Sequence, residues 1–263
     1  MLFCPGAATS RRLGFGAEAV EAFGVRLISL DRPGLGASDP APGRTLSDWA
    51  ADVAEFTGLV RLRRPAAVGF SQGAPFALAC AAAGAVAAVA VVSGTDELAR
   101  PEVAAALPEQ VRWLVTSAAD DPDEAEAYFA QLDAERLLLM VTAMNGPDDR
   151  AVYEDPAFAA PFRRALAEGF AQGSAGYARD TLLSMTPWPF DPAAITVPVE
   201  FWYGGLDTSP VHSPDFGESL AARIPHARRH LLAHAGGALP WTHGERILVS
   251  LLRLSGVLPP PDS

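Results

Sequence analysis

Gly69-Phe70-Ser71-Gln72-Gly73 is the stretch that decides how this chain is read. A short apolar segment, Pro65-Ala66-Ala67-Val68, leads into it, and an alanine-rich stretch, Ala74 to Ala83, follows. Strand, sharp turn with a central serine, then helix is the context of a nucleophile elbow. Such a turn forces the serine into a strained backbone conformation and lifts its hydroxyl above the sheet edge. Glycine is expected two residues to either side, because strand and helix approach too closely there for a side chain.

Working outward, apolar and partly β-branched runs recur with helical stretches between them, the pattern of βαβ units and a mostly parallel sheet. Strands are expected at Met1–Cys4, Val25–Leu30, Ala66–Phe70, Val86–Val92, Val199–Tyr203 and Arg229–Ala233. Helices are expected at Phe15–Phe23, Leu46–Leu62, Ala74–Ala83, Pro214–Arg223 and Trp241–Leu254. Thr45 can cap the second helix, with Asp48 three residues on. The alternation stops between about Asp96 and Ala194, an acidic, helical stretch rich in Leu, Phe and Tyr. The reading is therefore a doubly wound α/β core in two parts, 1–95 and 195–257, a helical lid over 96–194, and a disordered tail at 258–263. Most lid aromatics (Trp113, Tyr128, Phe129, Phe158, Phe162, Phe170 and Trp188) are expected in the lid's own core, with one or two facing a pocket.

Composition narrows the chemistry. The chain has 263 residues and a net charge of −11, which disfavours nucleic acid or an anionic membrane as partner. Every basic residue is Arg, so a Schiff-base lysine and a P-loop lysine are both excluded. Gly14-Phe15-Gly16 lacks the third glycine of a dinucleotide fingerprint. Cys4 and Cys80 have no metal-ligand partners nearby and read as buried free thiols. The expectation is a cytoplasmic protein acting on a small molecule, with no metal and no cofactor and with its oligomeric state open.

With the elbow in place, the remaining motifs resemble the α/β-hydrolase superfamily, in particular its bacterial proline-iminopeptidase and ester- or lactone-hydrolase branch. Asp31-Arg32-Pro33-Gly34-Leu35-Gly36-Ala37-Ser38-Asp39 resembles the family's D-x-P-G-x-G-x-S loop. Pro187-Trp188-Pro189-Phe190-Asp191 and Val197-Pro198-Val199 resemble the exit from the lid. Tyr203-Gly204-Gly205-Leu206-Asp207 resembles the turn that supplies the triad's acid, so the resemblance implies Ser71 as nucleophile and Asp207 as acid. Matched residue by residue, it also implies that the backbone N–H groups of Ala7 and Gln72 form the oxyanion hole. Asp96 is the alternative acid, while Asp31 and Asp39 read as turn and loop-locking residues.

The chain departs from the family in three places. It starts directly on the oxyanion strand, without the usual two-strand hairpin, which implies either a start codon assigned too late or a sheet lacking its first strands. Pro5-Gly6 stands where the family has His-Gly. The family's final Gly-His is here Gly236-Gly237, so the usual base position is empty of histidine.

Five histidines could replace it. His226 lies at the wrong end of the sheet, His230 sits within a strand, and His212, following the acid turn, reads as a solvated loop residue with the pocket mouth as the alternative. The last strand lies about 14 Å from the serine strand at normal spacing, so its loop must double back. His243, beyond the flexible Gly236-Gly237 and in the first turn of the last helix, is preferred to His234. The expected function is a serine hydrolase of a small apolar ester, lactone, thioester or amide, through Ser71, His243 and Asp207. Two alternatives stay open: a lyase, decarboxylase or cyclase on the same fold, and a catalytically silent binding protein.

Overall fold

The strands Leu2–Cys4, Ala67–Phe70 and Val89–Val92 are short, apolar and buried on both faces, which is what a parallel sheet covered by helices on two sides requires. The structure, a computed structural model, describes residues 1–259. In chain order the first half comprises β1 (Leu2–Cys4), α1 (Ala17–Ala22), β2 (Ile28–Ser29), α2 (Leu46–Leu59), β3 (Ala67–Phe70), α3 (Gly73–Ala82) and β4 (Val89–Val92). Seven helices then intervene: α4 (Pro101–Ala106), α5 (Glu109–Asp120), α6 (Pro122–Phe129), α7 (Ala134–Met144), α8 (Pro147–Glu154), α9 (Pro156–Gly169) and α10 (Ala175–Met185). The sheet resumes with β5 (Val199–Gly204), α11 (Glu218–Ala222), β6 (Ala227–Leu232), α12 (Leu239–Thr242) and α13 (Gly244–Leu254). The strand order is β2-β1-β3-β4-β5-β6, and every pair is parallel.

Alternation along the strands splits the core in two. Val89, Val91, Val199, Phe201 and Tyr203 face α2, α3 and α11. Ala88, Ala90, Val92 and Trp202 face the other way, against Phe15, Leu239 and the Ile247 and Leu251 side chains of α13. Fully burying an aliphatic side chain of this size contributes roughly 1.5–3 kcal/mol. The inserted helices build a cluster of their own around Phe129, Leu137, Phe162 and Leu166. Thr45 and Asp48 form the expected reciprocal capping box at α2. Both cysteines are buried free thiols, and burial pushes the Cys4 thiol up to about 12 despite the nearby Arg32 charge.

Several boundaries move. The expected strand Val25–Leu30 pairs over two residues only, Ile28 and Ser29. The expected helix from Trp241 is broken into α12 and α13, with His243 at the junction. Gly244 follows, pressed against Phe15 and Gly16. Of the expected tail, Leu258 is tied down by its N–H to Leu252 O, 3.1 Å, whereas residues 260–263 lie outside the described residues. No helix among the described residues is long and apolar enough to cross a membrane.

The central packing constraint is at the start of α3, where a Cβ on Gly73 would strike the carbonyl oxygen of Cys4. Backbone cannot retreat as a flexible side chain can. Gly73→Ala is therefore expected to lower stability by about 3 kcal/mol, the upper end for overpacking, read as a shift in the urea midpoint.

Candidate active site

Ser71 sits where β3 turns into α3, with φ +51°, in the left-handed region that a serine enters only under constraint. The constraint is visible: the Ser71 N–H donates to Val92 O at 3.1 Å, and the Ser71 carbonyl accepts from Ala74 N and Thr95 N. A Cβ on Gly69 would lie 2.8 Å from Ala74 Cα, so glycine is required on both flanks, as expected.

The side chain presented to Ser71 is His212. Its Nε2 lies 2.9 Å from Ser71 Oγ, and its Nδ1 lies 2.7 Å from Asp207 Oδ2. The other Asp207 oxygen accepts from Ser209 N at 3.0 Å. With the Asp207 carboxylate accepting, Nδ1 carries the proton and the Nε2 lone pair faces the serine hydroxyl; this tautomer follows from the hydrogen-bond network. The Asp207 and His212 side chains are 3% and 11% exposed, so the pair is largely shielded from water.

Local chain geometry explains the placement. β5 lies two strands from β3, about 10 Å away, so the loop after β5 must cross the end of β4 to reach Ser71. It is held there: Ser213 N donates to Gly94 O at 3.0 Å, and Ser213 Oγ reaches Asp96 Oδ2 at 2.9 Å. His212, next in the chain, hangs above the serine, with its ring 6.4 Å from that of Phe70.

These distances correct the expectation for His243. Its Nδ1 pairs with the neighbouring Thr242 Oγ1 at 2.9 Å, because the α12–α13 break turns the ring outward instead of carrying it across the sheet. Burial and the Arg246 charge both hold His243 below the ordinary imidazole range. His234 is exposed, and His230 stacks on Trp202 at 3.9 Å. The solvated-loop reading of His212 is likewise overturned. Asp96 does not approach an imidazole; its carboxylate accepts from Glu97 N at 2.7 Å and contacts Ser213. A signal for His212 was available in the chain, since Asp207 and His212 stand five residues apart on the loop after β5.

Gly236 and Gly237 fill the place of the missing histidine with backbone. A Cβ on Gly237 would come within 2.6 Å of Asp207 Oδ2. The loop is fixed by Asp149 of α8, whose carboxylate accepts from Gly237 N at 2.8 Å and Ala238 N at 2.7 Å. Burial raises the Asp149 carboxyl above its ordinary range, those two N–H groups oppose the rise, and the Asp207 charge adds to it.

The N–H groups of Ala7 and Gln72 have no protein acceptor among the described residues, and both residues border the same cavity as Ser71. The loop bearing Ala7 is set by Arg32, whose guanidinium donates to Pro5 O and Gly6 O, both at 3.0 Å, and to Asp180 at 2.5 Å. Arg44 also pairs with Asp180, and all three side chains are buried. Asp31 accepts from Arg11 N and Ala37 N, an arrangement that closes the loop over Gly36.

In front of Ser71 lies a cavity of about 340 Å³ between the sheet and the inserted helices. Leu98, Leu114, Phe129, Leu137, Met140 and Phe162 supply much of its wall. Among the described residues, no Asp, Glu or Arg lines it. Of the aromatics singled out from the sequence, Tyr128, Phe129 and Phe162 border it, while Trp188 packs in the sheet core.

Comparison with known proteins agrees with this architecture. Residues 1–248 match the α/β hydrolase family, and the chain belongs to it. No curated protein matches. Among solved structures, a bromoperoxidase from Bacillus anthracis is similar at TM-score 0.69 and 18% identity, covering 96% of this chain and 90% of its own. An esterase from Rhodococcus sp. ECU1013 is similar at TM-score 0.66 and 20% identity, covering 98% and 90%. An enol-lactonase from Burkholderia xenovorans LB400 gives 0.65 and 20%, covering 95% and 90%.

Buried acceptors that lose a donor cost roughly 1–3 kcal/mol each, so several together cost roughly 3–5 kcal/mol. Arg32→Leu leaves Asp180 with Arg44 alone, removes the donor of the Pro5 carbonyl and leaves Gly6 O only Thr9 N at 3.4 Å. It is expected to lower stability by about that amount in urea denaturation, whereas Arg12→Leu, on the exposed surface, stays within about 0.5 kcal/mol.

Proposed function

We propose that this protein is a serine hydrolase that cleaves a neutral, apolar ester or lactone through Ser71, His212 and Asp207. The observation that carries the reading is the 2.9 Å contact between His212 Nε2 and Ser71 Oγ. A hydroxyl is a weak nucleophile until a base within hydrogen-bond reach takes its proton, and this separation lies inside that reach. The likeness to the esterase and the enol-lactonase is in keeping with acyl chemistry, although at 20% identity it speaks for the fold alone.

In the reaction, Ser71 Oγ attacks the substrate carbonyl carbon while its proton passes to His212 Nε2. Asp207 accepts from Nδ1–H, keeps the ring in the reactive tautomer and stabilises the imidazolium. The Ala7 and Gln72 N–H groups hold the oxyanion that develops on the former carbonyl oxygen. Collapse breaks the C–O bond, and His212 returns its proton to the departing alkoxide. A water then attacks the acyl-enzyme, giving its proton to His212, and the acid leaves as Ser71 regains its hydrogen. The helical stretch 96–194 acts as a lid that selects the acyl group and excludes bulk water.

A silent binding protein has no need of an imidazole on the serine hydroxyl, so that reading leaves the contact unaccounted for. A fluorophosphonate probe is expected to label Ser71 and to lose labelling in Ser71→Ala. His212→Ala should lower ester turnover by roughly 10⁴-fold, with His243→Ala remaining near wild type. Equal loss in both histidine variants, or full activity in His212→Ala, would sink the assignment.

The uncharged cavity wall sets a second expectation. Placing a carboxylate there leaves an unpaired charge out of water. A p-nitrophenyl ester of a medium-chain fatty acid should exceed its ω-carboxylated counterpart by about 100-fold or more in kcat/KM.

A further inference from the structure

Ser213, next to His212, has more partners than one hydroxyl proton can serve. Its Oγ lies 2.9 Å from Asp96 Oδ2 and 2.9 Å from Asp215 Oδ1, and it accepts from Gly217 N at 3.0 Å. A serine hydroxyl offers one donor and two lone pairs. The Gly217 N–H occupies one lone pair. If both carboxylates were ionised, one of them would face the remaining lone pair of this buried hydroxyl with no hydrogen between. A proton on one carboxylate completes the set.

The surroundings decide which carboxylate holds it. Asp215 accepts N–H from Glu218 at 3.1 Å and Ser219 at 3.0 Å in the first turn of α11, an arrangement suited to an anion. Burial works against ionisation of Asp215, but its hydrogen bonds from Ser219, Ser213 and Glu218 outweigh that and hold it below the ordinary range. Asp96 is 0% exposed and accepts a single backbone N–H, from Glu97. Burial pushes its carboxyl up, and the Asp215 charge pushes the same way, against the Glu97 and Ser213 hydrogen bonds and the Arg223 charge. Arg223, just after α11, is committed to Glu97 Oε2 at 2.5 Å, and Tyr203 of β5 gives its hydroxyl proton to Gly94 O at 2.9 Å.

We propose that Asp96 is a neutral carboxylic acid and a positioning residue for His212, donating its proton to Ser213 Oγ and so holding the histidine loop on the end of β4. Ser213 Oγ–H then donates to Asp215, and every lone pair and proton on the hydroxyl is used. The inference rests on His212 being the base, and it gives Asp96 a role distinct from that of an acid facing the imidazole.

The decisive pair of variants differs only in the donor. Asp96→Asn keeps an N–H for Ser213 Oγ and an oxygen for Glu97 N; Asp96→Ala keeps neither. Fluorophosphonate labelling of Ser71 should stay within about threefold of wild type in Asp96→Asn. It should slow by roughly tenfold or more in Asp96→Ala and in Ser213→Ala, through displacement of His212. Loss in Asp96→Asn equal to that in Asp96→Ala would mean an anionic role, and no loss in any variant would mean no role; either overturns the proposal. Two readouts are independent of activity. Carbon-13 NMR of aspartate-labelled protein should show one carboxyl in the protonated position at pH 7 that is missing in Asp96→Asn; finding Asp96 ionised there refutes the idea. A raised folded-state pKa gives stability that is full below the unfolded value and lost as pH rises through the folded one. Wild type should therefore lose stability relative to Asp96→Asn as pH rises above about 4. Parallel pH dependences would also refute it. Wild type that takes no fluorophosphonate defeats the hydrolase reading instead, and the NMR and stability measurements still judge Asp96.

Discussion

Asp207 and His212, on the β5 loop, reach Ser71 only because that loop is bent across the C-terminal end of β4 and fastened there. β3 and β5 are separated by β4, and an imidazole cannot bridge about 10 Å from a strand end without the chain following it. The Ser213 N–H to Gly94 O bond, the Ser213 hydroxyl contacts, and the Tyr203 hydroxyl on Gly94 O all meet at the turn that leaves β4. Ser71 O accepts from Thr95 N in the same turn, so elbow and histidine loop share one anchor. A disturbance at Gly94–Asp96 therefore acts on both ends of the Ser71–His212 bond.

The absence of histidine at Gly237 becomes intelligible from this geometry. Asp207 has turned toward a histidine on its own loop, and the backbone of Gly237 packs against its carboxylate so closely that even a methyl group would collide. Asp149 reaches over from α8 to satisfy the Gly237 and Ala238 N–H groups, which would otherwise be buried without acceptors. The inserted helices thus do more than cover the cavity. They hold the segment that backs the relay, and through Asp180 and Arg32 they also hold the loop bearing Ala7.

Much of this was legible in the sequence, because it depends on local stereochemistry. The elbow is readable from Gly69, Ser71 and Gly73, since each glycine is demanded by a contact within a few residues or by the adjacent strand. The α2 capping box is readable from Thr45 and Asp48 for the same reason. The parallel sheet followed from the alternation of apolar runs with helical stretches. The base was not legible by the same means. Spacing rightly indicated that a histidine beyond β6 would have to cross about three strands, but it could not show that the chain breaks between Thr242 and His243 and turns that ring outward. Nor could it show that a loop read as solvated would be drawn inward by Ser213, whose partner Asp96 lies more than a hundred residues earlier.

In the proposed triad, acid and base sit on one loop, and this has a mechanical consequence. Where the two come from different loops, relative motion of those loops changes the bond that fixes the imidazole tautomer. Here Asp207 and His212 are separated by a turn that Asp207 itself closes, its second oxygen accepting from Ser209 N. In the proposed triad the acid and the base share this loop, and what joins the pair to the elbow is the contact of His212 with Ser71. Catalytic geometry in such an arrangement depends on one distance instead of two, and that distance is set at the junction of the loop with β4. The residues that fix the junction are for that reason as decisive for the reactivity of Ser71 as the imidazole it faces.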